Sequence, residues 1–588
     1  MAALQDIAAA AFLGVETSLG GRRWVGPGIE QDRAAEALAQ TTGLPAPVCA
    51  LLARRGVLAG AAESFMSPAL RDLLPDPLSL RDMAPAADRL VAAALRRERI
   101  AVFGDYDVDG ACASALLHSW LRSLGLTPTI YIPDRIDEGY GPNAPAMADL
   151  AKGHDLILCV DCGTLSHDAL AAAKGADVIV LDHHLGGETL PPAHAVVNPN
   201  RQDESGDLGH LCAAAVVFLT LVEANRRLRA QGTKGPDLIA LLDLVALATV
   251  ADVAPLTGVN RAFVRQGLAV MARRERIGLT ALADVARLDT APVAYHLGYV
   301  LGPRINAGGR IGAADLGARL LSTTDPHEAA ALAERLEKLN EERREIEAAV
   351  RDAALAQAES RGTDGPLVWA AGEGWHPGVV GIVAARLKEA TNRPAVVIGL
   401  DGDEGKGSAR SVTGVDLGAA VQRLAAEGLL LKGGGHRMAA GLTVARDRLE
   451  PAMARLGELL ARQGAGAGGP RDLTIDALLM PGAATRDLCA ALDRCGPFGQ
   501  GAPAPRFAFP DLAVAQAREV GQGHLKVRFR DGLGGTLDSI AFGGLDTPMG
   551  RALMAHSGAR FHIAGRLEVN VWQGRESVQM KLEDAAPA

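Results

Sequence analysis

The chain lacks the features that mark membrane, secreted and disulfide-rich proteins. Its longest apolar run, around Leu211 to Val222, is too short to span a bilayer and predicts a buried helix instead. The seven cysteines are odd in number and scattered through apolar contexts, so we expect no disulfides. We also expect no secretory signal in the first 30 residues. These absences predict a protein of the reducing cytoplasm that does not enter a membrane.

The net charge and the lack of a phosphate-binding P-loop exclude two further classes of function. The chain of 588 residues carries a net charge of −9, which argues against nonspecific coating of nucleic acid but leaves room for a local basic groove. Its segment Gly405-Lys406-Gly407-Ser408 lacks the G-x-x-x-x-G-K-[ST] spacing of a phosphate-binding P-loop. We therefore expect no dependence on nucleoside triphosphates.

Three aspartates at alternate positions, in Asp105-Tyr-Asp107-Val-Asp109-Gly110, form the most informative motif. On an extended backbone their side chains would share one face. Two carboxylates about 4 Å apart repel by about 4 kcal/mol at an effective dielectric of about 20, so the motif predicts a bound cation. A calcium-binding EF-hand loop is disfavoured, because its last ligand should be Glu and Leu116 stands there. The preceding Ile100-Ala-Val-Phe103 also has the pattern of a strand where that loop needs a helix.

More candidate ligands follow two other apolar runs. Leu156-Ile-Leu-Cys-Val160 leads into Asp161, and Val178-Ile-Val-Leu181 leads into Asp182-His183-His184. Because ligands gather at the carboxyl ends of strands in open α/β sheets, parallel strands would bring these groups into one crevice. Asp252, near the end of a helical-looking apolar stretch, is a further candidate. Taken singly, each aspartate could equally cap a helix and each histidine could be a core residue.

The candidate ligands are mostly carboxylate oxygens, with two imidazoles. Such ligands suit Mn²⁺ or Mg²⁺ better than zinc, which prefers Cys and His in a closed tetrahedron. Two such ions about 3.5 to 4 Å apart can share a carboxylate, lower the pKa of a bound water and stabilise charge on a phosphoryl oxygen. The residues therefore predict phosphodiester hydrolysis with two divalent ions as cofactors.

These segments, ending with Ala251-Asp252, resemble in order the four motifs of the DHH phosphoesterase superfamily, named for its Asp-His-His. Gly433-Gly434-Gly435-His436 resembles the signature of the domain that follows in the phosphodiesterase branch. The layout over essentially the full chain is similar to that of the single-strand-specific 5′-to-3′ exonucleases of the superfamily, with matches at Arg304–Arg310, Gly407–Ser411 and Pro497–Gly501. The resemblance implies a metal-dependent exonuclease that degrades single-stranded DNA to mononucleotides in DNA repair and recombination. It also implies a monomer that works with a single-strand-binding protein and a helicase.

The resemblance further implies a role for each matched residue. The ligands of the first ion would be Asp105, Asp107 and Asp161, and those of the second would be Asp109, Asp161, His183 and Asp252, with Asp161 as the bridge. His184 would face the scissile phosphate, and Asp182 would orient its neighbours. Phe103 stands where relatives that cleave small substrates often carry a histidine. The ligand set of the first ion is therefore the least defined of these assignments.

Substrate contacts are implied at two other places. Arg310, Ser408 and Arg410 would grip the 5′-terminal phosphate, a task suited to the planar guanidinium. In Gly433-Gly434-Gly435-His436, three glycines would let backbone N–H groups approach a phosphate. We expect this segment to be a turn ahead of a helix, whose N terminus would favour an anion.

Patterning along the chain predicts five segments. Residues 1–80 form a mixed N-terminal segment, 81–323 a doubly wound parallel-sheet α/β domain, 324–362 a long connecting helix, 363–462 a second α/β domain and 471–588 an OB-fold-like β-barrel. The helix is expected from Asp325-Pro326 to Gly362, and a strut between two lobes is favoured over a solvated or coiled-coil helix. The barrel is expected to bind single strands by a basic face and aromatic stacking.

Two alternative functions stay open at this point. A short-oligonucleotide or cyclic-dinucleotide phosphodiesterase would keep the metal site, but such relatives are usually much shorter and lack the final β module. A non-catalytic scaffold that binds single-stranded DNA is the alternative from another class. Degenerate relatives of that kind have lost metal ligands, whereas every motif position here is filled except at Phe103.

Overall fold

The computed structural model describes residues 10–135, 138–466, 471–572 and 574–588. The chain forms two compact units. The terminal unit comprises Met1–Pro75, Pro255–Gln266 and Gly469–Ala588, and the central unit comprises Asp76–Ala254 and Gly267–Gly468. Residues near the N terminus thus belong with the C-terminal module. The division into five segments stays a prediction.

The strands, in chain order, are β1 Arg22–Val25, β2 Ile100–Gly104, β3 Thr129–Tyr131, β4 Leu156–Val160, β5 Asp177–Leu181, β6 Ala195–Val197, β7 Val368–Glu373, β8 Ala395–Asp401, β9 Glu404–Arg410, β10 Lys432–His436, β11 Ala439–Ala445, β12 Arg471–Thr474, β13 Ala477–Leu478, β14 Phe507–Val520, β15 His524–Arg530, β16 Thr536–Ala541, β17 Arg560–Trp572 and β18 Arg575–Pro587.

The α-helices, in chain order, are α1 Ile29–Thr42, α2 Ala46–Arg54, α3 Ala62–Met66, α4 Leu70–Leu73, α5 Met83–Arg96, α6 Val108–Ser123, α7 Ala144–Gly153, α8 His167–Ala171, α9 Ala213–Ala230, α10 Leu242–Ala251, α11 Gly258–Met271, α12 Ile277–Val285, α13 Ala294–His296, α14 Gly302–Ile311, α15 Leu316–Ser322, α16 Pro326–Arg361, α17 Pro377–Thr391, α18 Leu417–Ala426, α19 Leu449–Arg462, α20 Arg486–Asp493 and α21 Pro548–Met554. A π-helical turn, Leu297–Leu301, connects α13 to α14.

The first sheet of the central unit is parallel throughout, in the order β3-β2-β4-β5-β6. Its strands β2 and β4 are wholly buried, as the continuous apolar runs predict for a sheet covered on both sides. On one face Phe103, Cys159 and Val180 share an apolar cluster with residues of α7 and α8. Helices α5, α6 and α9 pack against these strands as well. The prediction of a doubly wound domain is confirmed.

Helix α16 connects this sheet to the second one. It has 36 residues, which corresponds to about 54 Å, and it begins where Asp325 accepts a hydrogen bond from the His327 N–H at 2.8 Å. Its first half buries a stripe of leucines and alanines and contacts α12, α14 and α15. Its second half buries Val350, Ala354 and Ala358 against α17 and β7. The predicted long helix is therefore held by packing at both ends, which a solvated helix would not be.

The second sheet of the central unit is mixed, in the order β10-β11-β9-β8-β7, with only β7 and β8 parallel. Gly433–His436 lies in its edge strand β10, which pairs antiparallel with β11. The prediction of a turn ahead of a helix is wrong. The physical reason is close approach: a Cβ on Gly435 would lie 2.5 Å from the Ala439 carbonyl oxygen, so glycine lets the two strands meet.

The terminal unit contains a closed barrel. Strands β14, β15, β16, β18 and β17 pair in that order, and β14 pairs back with β17. Along β15, Leu525, Val527 and Phe529 are buried while Arg528 and Arg530 are exposed, so the basic residues alternate outward. The predicted OB-fold-like barrel is confirmed. Strand β1 pairs in parallel with β12 in the same unit, and buried Trp24 donates its Nε1–H to Asp584 at 2.9 Å.

All seven cysteines are buried free thiols. None of the helices in the described part of the chain combines the length and apolar character that a bilayer crossing demands. The apolar run near Leu211 forms the buried first half of α9.

Candidate metal centre

The first aspartate motif occupies the junction between β2 and α6. Asp107 is the N-cap of α6, where its side chain accepts hydrogen bonds from the N–H groups of Asp109 at 2.8 Å and Gly110 at 3.1 Å. Asp109 therefore lies in the first helical turn, and the expectation of one extended face for all three aspartates is wrong. The helix cap is favoured over the extended backbone because the Asp107 side chain accepts hydrogen bonds from two N–H groups that the helix leaves unpaired. A Cβ on Gly110 would lie 2.5 Å from the Asp105 carbonyl oxygen, so this sharp junction needs glycine.

All six predicted ligands meet at the carboxyl edge of the parallel sheet. Three overlapping groups have ligand atoms within 4.8 Å of one another: Asp105, Asp107 and Asp161; Asp109, His183 and Asp252; and Asp161, His183 and His184. The His183 Nε2 atom lies 3.2 Å from Asp161 Oδ1 and 3.7 Å from Asp109 Oδ2, and its Nδ1 lies 3.8 Å from Asp252 Oδ2. Asp161 and His183 are thus the residues that join the groups.

The electrostatics of this cluster call for cations. Burial, and then the charge of neighbouring carboxylates, raises the pKa of both Asp105 and Asp161 well above the usual range. Burial with the charges of Asp109 and Asp107 raises the pKa of Asp252 to about 8. Among the described residues, the buried Oδ1 atoms of Asp105 and Asp161 accept no hydrogen bond. Carboxylate oxygens without a hydrogen bond in a buried anionic cluster fit hard divalent cations such as Mn²⁺ or Mg²⁺.

The fold holds two of these carboxylates in place. Asp109 accepts hydrogen bonds from the first N–H groups of α9, Ala213 at 2.6 Å and Ala214 at 2.8 Å. Asp161 directly follows β4 and has a left-handed backbone with φ of +60°. Such a conformation is costly for a residue other than glycine, so the surrounding structure imposes it. By contrast Phe103, at the position of the histidine in some relatives, is buried in the core.

Asp182 is not part of any of the three groups and serves them through hydrogen bonds. Its Oδ2 atom accepts two hydrogen bonds from Thr164, one from the N–H at 3.1 Å and one from the hydroxyl at 2.6 Å. Its Oδ1 atom accepts hydrogen bonds from the backbone N–H groups of His183 and His184. The same Oδ1 atom also accepts from the ring nitrogen Nδ1 of His184, at 2.8 Å. Burial alone would raise the pKa of Asp182, but the hydrogen bond and charge of His184 and the Thr164 donors bring it below the usual range. Asp182 therefore orients both histidines as an anion.

Three supporting residues escaped the sequence analysis. Asn198 donates to Thr164 Oγ1 and to the His184 carbonyl, both at 2.8 Å, and Asn200 donates to the His183 carbonyl at 2.6 Å. They follow β6, so the rule that polar residues follow strand ends could have found them. The Tyr140 hydroxyl donates to the Asp161 carbonyl at 3.1 Å and lies 3.1 Å from His184 Nε2. No local pattern marks Tyr140.

The predicted phosphate-binding residues form a basic group beside the cluster. Arg410 Nη1 donates to Ser408 Oγ at 2.8 Å, and Arg310 Nη1 donates to the Gly378 carbonyl in the first turn of α17 at 2.9 Å. Burial, with the like charges of Arg135 and Arg343, lowers the pKa of Arg310 to about 10, and the charge of Asp107 opposes this. Arg135, whose guanidinium lies 5.2 Å from the centre of the Tyr106 ring, was also missed by sequence analysis. Like charges so placed favour a bound anion.

Only two residues of the segment Gly433–His436 lie on the same face of the sheet as Ser408 and Arg410. In the sheet register, Gly434 is aligned through Gly441 with Ser408, and His436 is aligned through Ala439 with Arg410. These residues thus share one face of the sheet, and a Cβ on Gly434 would meet no atom within 4 Å. A Cβ on Gly433 would instead contact Leu430 and Val421 at 2.9 Å. A side chain at Gly433 would therefore face the core and one at Gly435 would meet β11, while the backbone of Gly433 stays partly exposed and that of Gly435 exposed. The role of the segment in phosphate binding stays a prediction.

Family models match residues 99–249 as the N-terminal domain of the DHH family, 364–462 as the DHHA1 domain and 475–584 as the RecJ OB domain. The DHH match contains five of the six candidate ligands and all of the first sheet. Fold and site together define the class, a DHH-type phosphoesterase with an associated DHHA1 domain.

Full-length relatives narrow the class further. The single-stranded-DNA-specific exonuclease RecJ of Dickeya dadantii is 39% identical over 566 residues, which cover 92% of this chain and 96% of that protein. The crystal structure of RecJ in complex with Mn²⁺ from Thermus thermophilus has a TM-score of 0.80 at 31% identity and covers 96% of this chain and 79% of that chain. The Mg²⁺ complex from the same organism has a TM-score of 0.74 at 29% identity, with 96% and 78% covered. The chain belongs to the RecJ family of single-stranded-DNA-specific exonucleases, and the resemblance to DHH phosphoesterases is confirmed.

Proposed function

We propose that this chain is a metal-dependent exonuclease that hydrolyses single-stranded DNA from its 5′ end to mononucleotides, in DNA repair and recombination. One observation carries the proposal: the three groups of carboxylates and histidines, which Asp161 and His183 join, lie in the same unit as the half-buried Arg310 and Arg410. Arg310 lies near enough to Asp107 for their charges to interact. The site therefore offers places for cations and for a terminal phosphate side by side.

We propose a ligand set for each of two cations. Asp105, Asp107 and Asp161 would hold one, and the group Asp109, His183 and Asp252 would hold the other together with Asp161, which lies 3.2 Å from His183. When bound, such a pair supplies a nucleophile from water at neutral pH and stabilises charge on the phosphoryl oxygens. Mn²⁺ and Mg²⁺ are both suited to this ligand set.

The remaining residues of the site position the substrate. The His184 ring is fixed by its Nδ1–H bond to Asp182, and its Nε2 lies 3.1 Å from the Tyr140 hydroxyl. We assign this nitrogen, with Tyr140 beside it, to contact with the scissile phosphate. Arg310, Arg410 and Ser408 are assigned to the 5′-terminal phosphate, which bidentate guanidinium groups bind well. A terminal phosphate held close to the cations would place the first phosphodiester bond of the strand at them, which favours mononucleotides as products.

The barrel of the terminal unit is assigned to the single strand outside the active site. Arg530 of β15 points outward from the barrel. OB-folds bind single strands with a basic face that follows the phosphates and with side chains on which bases stack. Binding of this kind weakens as salt rises, because phosphate contacts release counterions.

The direct test is release of nucleotides from 5′-labelled single strands with Mn²⁺ or Mg²⁺, in parallel with EDTA and with Asp161→Ala. We expect mononucleotide release with either metal and loss of at least about 100-fold in the variant, since removing a shared ligand disrupts both cation places. Asp149→Ala, at an exposed aspartate of α7, is the matched control and should behave as wild type. Unchanged activity in Asp161→Ala would refute the shared-ligand assignment.

A short-oligonucleotide or cyclic-dinucleotide phosphodiesterase is the weaker reading, because the chain carries the barrel that such a function does not need. A monomeric state, a cytoplasmic location, and cooperation with a single-strand-binding protein and a helicase stay predictions. The seven free thiols support a reducing compartment.

A further inference from the structure

Two exposed tyrosines of the central unit have no part in the function proposed so far. The chain has only five tyrosines. Tyr295 is 61% exposed and Tyr299 is 71% exposed. Their rings lie parallel to each other, with centroids 5.0 Å apart and planes inclined by 21°. Large aromatic side chains are costly to leave in water, so a stacked pair on the surface points to a ligand.

The backbone holds this pair rigidly. Tyr295 is in α13 and Tyr299 is in the π-helical turn Leu297–Leu301. Leu297 and Leu301 are both buried, so the turn is anchored beneath the exposed rings. The His296 Nδ1 accepts a hydrogen bond from the Val293 N–H at 3.1 Å and fixes the start of the segment. Single π-helical turns are frequently found at functional sites.

The turn that carries Tyr299 packs against the helix that leads to the candidate ligand Asp252. A Cβ on Gly298 would lie 3.3 Å from Val250 Cγ1, and a Cβ on Gly302 would lie 3.3 Å from Ala251 Cβ. The π-helical turn therefore packs on the last turn of α10, directly before the candidate ligand Asp252. Val253, the next residue, is 62% exposed. An exposed apolar side chain thus directly follows Asp252, at the end of the helix on which the π-helical turn packs.

We propose that Tyr295 and Tyr299 form a platform on which an unpaired base of the single-stranded DNA substrate stacks on its way to the metal centre. This inference rests on the proposed function. An unpaired base is the favoured occupant because its flat face matches a ring face that is already exposed and rigid. A base within a duplex has both faces covered by its neighbours, so the platform selects single strands. Stacking tolerates any base, as a nonspecific nuclease requires.

The test is an abasic scan of the substrate. Single strands with one abasic position each are compared for binding to the full chain carrying Asp161→Ala, which prevents digestion. We expect one or two positions near the 5′ end at which loss of the base weakens binding about 5- to 100-fold. In Tyr299→Ala the intact strand should bind as weakly as that abasic strand, and removing the base should have no further effect. Tyr299→Trp should keep the wild-type pattern.

Different results would refute the tyrosine platform and the proposed exonuclease activity. If the Asp161→Ala chain tolerates an abasic site at every position, or if Tyr299→Ala is as sensitive as the parent at the same position, the platform is refuted. Leu95→Ala, which removes an exposed apolar side chain from α5, is the matched control and should leave the scan unchanged. A wild-type chain that binds strands but releases no nucleotide would refute the proposed exonuclease instead. If duplex and single-stranded DNA lose equal affinity in Tyr299→Ala, the assignment to an unpaired base is wrong.

Discussion

Replacing Asp182 by alanine should lower both the stability and the activity of this chain, although Asp182 is outside all three candidate ion-binding groups. Its side chain is buried and accepts five hydrogen bonds. Two of these come from Thr164 and three from the two histidines that follow. Alanine would leave the backbone donors without an acceptor in a place that water does not reach.

The magnitude follows from those donors. The Thr164 hydroxyl also accepts from Asn198 and can turn, so the main loss falls on the N–H groups of Thr164 and His183. Leaving a buried donor unsatisfied costs about 1–3 kcal/mol, so we expect the free energy of unfolding to fall by about 3–5 kcal/mol. Loss of the His184 Nδ1 bond would also free the ring, and residues that orient metal ligands typically contribute about 10- to 100-fold to activity or metal affinity.

Urea unfolding and Mn²⁺ titration of the folded variant separate the two effects. Asp182→Asn should be nearly as harmful, because its amide N–H groups would face either the Thr164 donors or the histidine donors. Asp177→Ala, at the exposed start of the same strand β5, is the control and should cost less than about 1 kcal/mol. Wild-type Mn²⁺ affinity and nucleotide release in folded Asp182→Ala would refute the orienting role.

Three further predictions concern the same unit. Removal of divalent ions by EDTA should abolish nucleotide release and lower the thermal midpoint, because uncompensated carboxylates then repel one another. Arg410→Ala should reduce the preference for a 5′-phosphate over a 5′-hydroxyl by about 10-fold or more, since a charge-assisted bond is lost. Gly110→Ala should impair folding and metal binding together, because its Cβ would lie 2.5 Å from the Asp105 carbonyl oxygen.

Each of these has its own control. Readdition of Mn²⁺ or Mg²⁺ should restore both activity and midpoint after EDTA, and failure with both would contradict the cation assignment. For Arg410→Ala, equal losses on the two kinds of strand end would argue against recognition of the terminal phosphate. Gly60→Ala introduces the same methyl group where no atom lies within 4 Å, so it should match wild type in melting and in metal titration.

Local sequence patterns were enough to predict the metal-ligand candidates and the fold class that holds them. Apolar runs followed at once by Asp161 and by Asp182-His183-His184 predicted parallel strands with ligands at their ends, and the structure brings these residues together. This succeeds because strand burial and the alternation of residues are properties of short segments. The long helix α16 was likewise predicted by its Pro at the start and Gly at the end.

Features that depend on residues far apart along the chain became visible only in the folded protein. Asp109 lies in a helix and not in a strand, because the cap at Asp107 and the donors of α9 outweigh the local alternation. The glycine-rich segment is an edge strand because β11, on the far side of a short turn, comes close enough to exclude a Cβ at Gly435. Such contacts form between residues far apart along the chain, so a local sequence pattern does not predict them.

The same limit explains the residues that the sequence did not reveal. Asn198 braces His184 from another strand, and Arg135 lies over Tyr106 from a loop. The tyrosine pair is exposed only because the buried leucines of a π-helical turn direct both rings outward. The sequence thus specifies the reactive groups through local periodicity, whereas the packing of separate elements sets their distances, their charge states and the surface around them.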